Sequence, residues 1–205
     1  MKKAGKSYHH GNLAESLLDA VDDTATRLGL EAVTLRGCAR QVGVAPSSAF
    51  RHYADKRALL TAFATRALHR LTDALVAARA DAARSGEDAF HAVALAYVRF
   101  AIDRPAFFRA MWREETIYSG DAAYVAGAAA LQGALTGGFA GTLEDADPTR
   151  LDTPELLAWS AVHGLAALMV DGPVGRDEPM TVRLAMAAEM IEALSPVFAR
   201  APRST

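Results

Sequence analysis

The sequence predicts an all-α fold on three observations. Its 205 residues are rich in alanine and leucine, no alternating run of β-branched residues marks a strand pair, and Gly, Pro and Asp breakers divide the apolar stretches into helix-sized lengths. A chain of this length suits one extended core or a small domain plus a larger one. The division expected here is a three-helix N-terminal unit over residues 1–60 and a larger helical body over 61–205.

The first helix is expected from about Asn12 to Leu28, with Leu13, Leu17, Val21, Thr24 and Leu28 along one side and Gly29 as its stop. Thr34 suits the N-cap of a second helix, whose Leu35, Cys38, Ala39 and Val42 fall at the i, i+3, i+4, i+7 spacing of a buried face. Gly43 can adopt the left-handed conformation that ends this helix, and Val44 can tuck back onto it. Pro46 fits the first turn of a third helix, where its missing N–H costs nothing. Asp55 is an N-cap candidate for a fourth helix carrying Leu59, Leu60, Phe63 and Ala67. Further helices are expected over Asp88–Asp103, Pro105–Glu115, Ala122–Leu143, Pro154–Val170 and Pro179–Phe198, divided by Ser85-Gly86, Ser119-Gly120, Asp147-Pro148 and Asp171-Gly172-Pro173.

Two short helices joined at Gly43, the second carrying groups that suit DNA, are the pattern of a helix-turn-helix. In that second helix Ala49 and Tyr53, four apart, can face the domain core, which leaves Pro46, Ser47, Ser48, Phe50, Arg51 and His52 outward. Serine hydroxyls donate or accept at base edges, and the Pro ring and Phe50 suit thymine methyls. Gly37, inside the preceding helix, costs roughly 1 kcal/mol against alanine, which close packing or close approach to DNA would offset.

From about Asn12 to Leu60 the chain resembles the DNA-binding domain of the TetR-type family of one-component transcriptional regulators, in its Gly-Val, aromatic-Arg-His-aromatic, Asp-Lys and Leu-Leu elements. A second, more local resemblance lies in Trp159, His163 and Gly164, similar to a Trp-His-Gly subgroup of the family's C-terminal domains. The resemblance implies that Ser47 and Ser48 read bases, that Arg36 reaches a base edge or phosphate, and that Thr34, His52 and Lys56 anchor phosphates. Two departures stand out. Phe50 replaces the family's usual phosphate-contacting tyrosine, and Tyr53 stands where phenylalanine is common.

Charge is distributed to match. Residues 1–57 hold 9 Lys+Arg against 6 Asp+Glu, a balance of +3, and the remainder holds 13 against 18, or −5. Phosphate neutralisation supplies much of DNA affinity, and an acidic body stays off the backbone. Lys2, Lys3 and Lys6 could add a basic arm. The lone Cys38 excludes an internal disulfide and fits a reducing cytoplasm, and its place on the buried stripe marks it as packing. The N-terminus lacks an apolar signal-peptide core, and the longest apolar stretch, Leu156 to Val170, is too short to span a bilayer. His9 and His10 sit in a polar tail, so no metal or other cofactor is expected. There is no phosphate loop, metal-spaced His or Cys pair, or nucleophile elbow, which argues against an enzyme.

In the C-terminal half, aromatic and Met residues with a few polar partners suggest an apolar pocket. Phe107, Phe108, Met111, Trp112, Tyr124, Trp159 and His163 are the candidate effector-binding residues, with ordinary core packing as the alternative for each; Phe100, Met169 and Arg109 lie among them. Gly133, Gly137 and Gly141 form a small ridge suited to a tight helix crossing. The last two helices are apolar on a second side, through Leu157, Ala161, Gly164 and Leu168, then Val182, Met186, Met190, Ala193 and Val197. Pairing with a symmetry mate would cover that side and set two recognition helices on a roughly palindromic operator in double-stranded DNA. The resemblance thus implies a cytoplasmic homodimeric repressor released by a small apolar effector, with coupling through the fourth helix. An activator, or a regulator answering to a protein partner, is the alternative.

Overall fold

The computed structural model describes residues 13–139 and 153–198, all in helices and the turns between them. The basic arm, His9 and His10, Gly141 and the Asp147-Pro148 breaker lie outside these residues. The helices are α1 (Leu13–Leu28), α2 (Leu35–Val42), α3 (Pro46–Phe50), α4 (Lys56–Ser85), α5 (Ala89–Asp103), α6 (Pro105–Met111), α7 (Ala122–Phe139), α8 (Thr153–Val170) and α9 (Met180–Phe198). Single 3₁₀ turns at Leu30–Ala32 and Glu114–Thr116 complete the described elements.

Local rules account for the boundaries. Thr34 is extended and its Oγ1 accepts the Gly37 N–H at 3.0 Å, capping α2. Gly43, at φ 78° and ψ 26°, donates to the Arg40 carbonyl, and Val44 donates to that of Ala39, a complete Schellman ending. Asp55 caps α4 by accepting the Ala58 N–H at 2.7 Å. Asp88 caps α5 through Phe90 N. Helix α6 ends at Met111, four residues short of the expected Glu115, because Trp112 leaves the helical path to join an aromatic cluster. The Tyr124 hydroxyl then donates to the freed Met111 carbonyl at 3.2 Å.

One contiguous core runs from head to body, from Leu17 and Val21 through Leu59, Phe63, Leu71 and Leu75 to Tyr97, Val162 and Ile191. Helix α1 packs on α2, α3, α4 and α6, while α4 lies against α5, α6 and α7, and α5 against α8 and α9. Position 60 falls inside α4, whose first turns serve both the head and the body. The buried hydroxyls of Thr61 and Thr65 donate to the carbonyls four residues back, at 2.8 and 2.9 Å. These bonds satisfy polar groups that burial would otherwise penalise.

Two packing expectations are corrected. Leu28 is 68% exposed, because the buried stripe of α1 runs through Leu17, Leu18, Val21 and Ala25 and has turned away by the last residue. The glycine ridge of α7 does not mark a close crossing at Gly133, where a Cβ would meet nothing within 4 Å. The close approach is at Gly127, whose Cβ would touch Leu68 and His69 of α4 at 3.4 Å. Among the described residues no helix is long and apolar enough to cross a membrane.

Candidate functional site

The helix-turn-helix positions its outward residues by burying the opposite side. Ala49 is fully buried and Tyr53 half-buried, its hydroxyl donating to the Ala14 carbonyl of α1 at 3.4 Å. Tyr53 therefore pins α3 to α1, and its hydroxyl does not replace the one that Phe50 lacks. Pro46, Ser47, Phe50, Arg51 and His52 are exposed, with Phe50 at 44%. Ser48 is half-buried, and its Oγ accepts from the Arg51 guanidinium at 3.1 Å. Thr34 and Arg36, at the start of α2, are exposed. Lys56 is half-buried, its Nζ donating to the Glu31 carbonyl at 2.9 Å in an exposed hydrogen bond.

Carboxylates near this surface are engaged away from it. Glu15 and Asp19 pair with Arg66 of α4 at 3.3 and 2.7 Å, and Asp23 accepts from Gln41 at 2.7 Å. Glu31 pairs with Arg113 at 2.9 Å. Exposed Arg36, Arg40 and Arg51 form no ion pair with any described residue, so the positive charge of the head faces outward.

Gly37 is explained by the cap beside it. A Cβ there would stand 2.7 Å from Thr34 Oγ1, inside contact distance, so the side chain that caps α2 occupies the space. Replacing Gly37 with alanine should gain about 1 kcal/mol of helix propensity and lose a comparable cap energy. Gly37→Ala is expected to give no net stabilisation in urea unfolding, whereas the same change on a Thr34→Ala background should stabilise by about 1 kcal/mol.

A strap joins this head to the body. After α6, the segment 113–118 crosses back to α4, where Arg57 Nε donates to the Ile117 carbonyl at 2.7 Å and its guanidinium lies 4.7 Å from the Tyr118 ring centre. Tyr118 donates its N–H to Thr61 Oγ1 at 2.9 Å and its O–H to Asp55 at 2.6 Å. The Tyr118 hydroxyl and the Ala58 N–H together hold the Asp55 carboxyl below the usual carboxylate range.

The candidate effector residues divide into two sets. Phe107 faces α4 and α5, tilted against Phe63 at 4.7 Å and stacked on Phe100 at 6.3 Å. It is therefore not in the same cluster as its neighbour Phe108. That second cluster surrounds His163 with Phe108, Trp112 and Trp159, ring centres 5.3, 5.0 and 5.7 Å away. Met111 is buried, and Tyr124 is tied to its carbonyl. The sequence reading missed Tyr97, a fully buried ring whose hydroxyl lies 2.9 Å from His163 Nδ1. One tyrosine in an apolar helical stripe carries no mark of this role.

Burial pushes the Tyr97 hydroxyl well above its ordinary range and lowers the His163 pKa, so both are uncharged at neutral pH. The Tyr97 hydroxyl and His163 Nδ1 share one hydrogen bond, whose donor is set by the imidazole tautomer. The indole nitrogens of Trp112 and Trp159 are both buried without a hydrogen-bond partner. Each such donor costs about 1–3 kcal/mol in desolvation.

Residues 90–194 match the family model of the Tetracyclin repressor-like C-terminal domain, which spans α5 to α9 and the whole His163 cluster. The chain belongs to the TetR family. Its members are transcriptional regulators, not enzymes. An uncharacterized HTH-type transcriptional regulator of Bacillus subtilis (strain 168), YobS, is 30% identical over 100 residues, 49% of this chain and 51% of that protein. The chain thus spans about half the length of that curated relative. A protein of unknown function from Rhodococcus sp. RHA1 superposes with a TM-score of 0.68 at 27% identity, covering 91% of this chain and 96% of that one. A tetR-family regulatory protein from Rhodococcus RHA1 gives 0.65 at 20% identity, over 92% and 98% respectively, a likeness of fold.

In this TetR-family regulator, one described cleft, of about 670 Å³, opens between the head and α4. Glu15, Arg66, His69, Arg70, Asp73 and Asp121 line it, a charged setting that suits an apolar effector poorly. No group of His, Cys, Asp and Glu able to hold a metal occurs among the described residues. Cys38 is buried and its thiol pKa is raised, as packing requires.

Proposed function

We propose that this regulator is a cytoplasmic homodimeric repressor that binds a roughly palindromic operator through the outward face of α2–α3 and is released by a small apolar effector bound near His163. The observation that carries the DNA reading is the division of α3: Ala49 is buried while Pro46, Ser47, Phe50, Arg51 and His52 stand in solvent. Major-groove contact requires such a face. The pairing of head carboxylates with Arg66 and Arg113, away from that face, supports it further. On this reading Ser47 and Ser48 read bases, with Pro46 and Phe50 beside thymine methyls. Thr34, Arg36, Arg51, His52 and Lys56 contact base edges or phosphates.

Dimerisation through α8 and α9 is supported by a line of exposed apolar side chains. Leu157 is 51% exposed, Leu168 49%, and Val182 and Met186 39% each. Water contact at these residues is unfavourable, and a symmetry mate would remove it. Residues 1–60 then act as the DNA-binding unit and 61–205 as the effector-binding and dimerisation unit, with α4 and the 113–118 strap carrying the coupling. Trp112 and the Arg113–Glu31 pair, whose Glu31 carbonyl holds Lys56, stand at one end of that strap and the Tyr118–Asp55 bond at the other.

The test is a salt titration of binding to the chain's own upstream DNA and to a scrambled duplex, repeated with a panel of apolar compounds. Tight, sequence-dependent, salt-sensitive binding that one compound releases is expected. Equal binding to both duplexes would overturn the operator reading. Lys56→Ala should weaken binding to every sequence and reduce the salt slope by about 1. Ser48→Ala should instead change base preference, and equal losses on all operator variants would remove Ser48 from the base-reading set.

A further inference from the structure

Resting on the reading of the His163 cluster as the effector site, we infer that the site takes an uncharged, mostly aromatic or alicyclic molecule presenting a carbonyl oxygen to the indole N–H groups of Trp112 and Trp159. The two indole rings stand 5.6 Å apart between centres, each beside the His163 ring, and neither N–H has an acceptor. An indole nitrogen donates and never accepts, so the missing partner must be an acceptor. The two buried polar atoms of the cluster without a partner are thus both donors.

That composition selects among occupants. Water would satisfy two donors but bury its own hydrogens without acceptors, whereas a ketone, ester or amide oxygen has two lone pairs and no hydrogen to place. A cation would gain from the ring faces, but the carboxylate that follows α8 is already engaged. The nearby Asp171 already accepts from Arg109 at 2.7 Å. A carboxylate ligand would need a positive charge, and Arg109 is occupied by that same pair. The rings of Trp112, Trp159 and His163 are half-buried, while the two indole nitrogens themselves are closed to solvent.

Trp112 and Trp159 are the chain's two tryptophans, so indole fluorescence of the full-length protein reports this cluster alone. Three probes of similar size separate the chemistries: 1-tetralone, which carries a carbonyl; tetralin, which lacks it; and phenyltrimethylammonium. Tetralone is expected to shift the emission saturably, to move an indole N–H resonance downfield in ¹H–¹⁵N spectra, and to bind about tenfold more tightly than tetralin, the worth of one hydrogen bond. Trp112→Phe or Trp159→Phe should erase the tetralone preference while tetralin binding persists. Equal binding of tetralone and tetralin, tighter binding of the cation, no saturable response to tetralone, or an undiminished preference in both variants would each overturn the inference. The effector-site reading is judged separately. If a compound without an acceptor releases operator DNA and the two tryptophan variants abolish that release, the site stands and only its carbonyl selectivity falls. If release survives both variants unchanged, the site itself falls.

Discussion

Phe63→Ala is expected to lower the unfolding free energy by about 3–5 kcal/mol, a large share of what a domain of this size has available. The ring is wholly buried in α4 where three helices meet, tilted against Phe107 of α6 at 4.7 Å. The Arg66 guanidinium lies 5.9 Å from its centre and 5.4 Å from that of Phe107, while holding Glu15 and Asp19 of α1. Removing the ring leaves a cavity beneath this arginine, so the loss should exceed the transfer term alone. Urea unfolding should show a lower midpoint at unchanged slope, and Phe63→Leu should recover most of it. A loss under about 1 kcal/mol would mean that the α4–α6 junction collapses onto the gap.

Capping and turn signals were readable from sequence because each acts within a few residues. Thr34, Gly43 and Asp55 were placed by spacing alone, and each makes its expected local bond or backbone conformation in the structure. The candidate site was legible only in part, because what defines it is non-local. Phe107 and Phe108 are adjacent in sequence, and neighbours on a helix point about 100° apart, so one pocket could not hold both. Which of them faces His163 depends on packing more than 50 residues away. The strap was invisible for the same reason. Arg113 reaches Glu31 across 82 residues and Tyr118 reaches Asp55 across 63, and neither pair has a periodic or motif signature. Trp112 looked like a helical residue, and only its contact with His163 explains why α6 stops before it.

Tyr118→Phe is expected to leave operator binding near wild type in the absence of effector and to remove most of the effector's power to release DNA. Coupling of this kind is worth about 1–3 kcal/mol, a 5- to 150-fold change in affinity, and the variant should bring the ratio of affinities with and without effector close to one. The substitution deletes the 2.6 Å bond to Asp55 yet spares the cap, since Ala58 uses the other carboxylate oxygen. Helix α4 should therefore stay formed. What changes is the rigidity of the connection. On the proposed reading, movement of Trp112 would pass to α4 through Tyr118 and Arg57 and to Glu31 through Arg113, and Glu31 in turn holds Lys56. Arg113→Ala should cut the second branch and reduce the same ratio on its own. Linkage supplies an independent check, because operator DNA must weaken effector binding by the factor by which effector weakens DNA binding. A Tyr118→Phe protein that keeps the wild-type factor in both directions would place the coupling outside the strap, in the packing of α4 against α7.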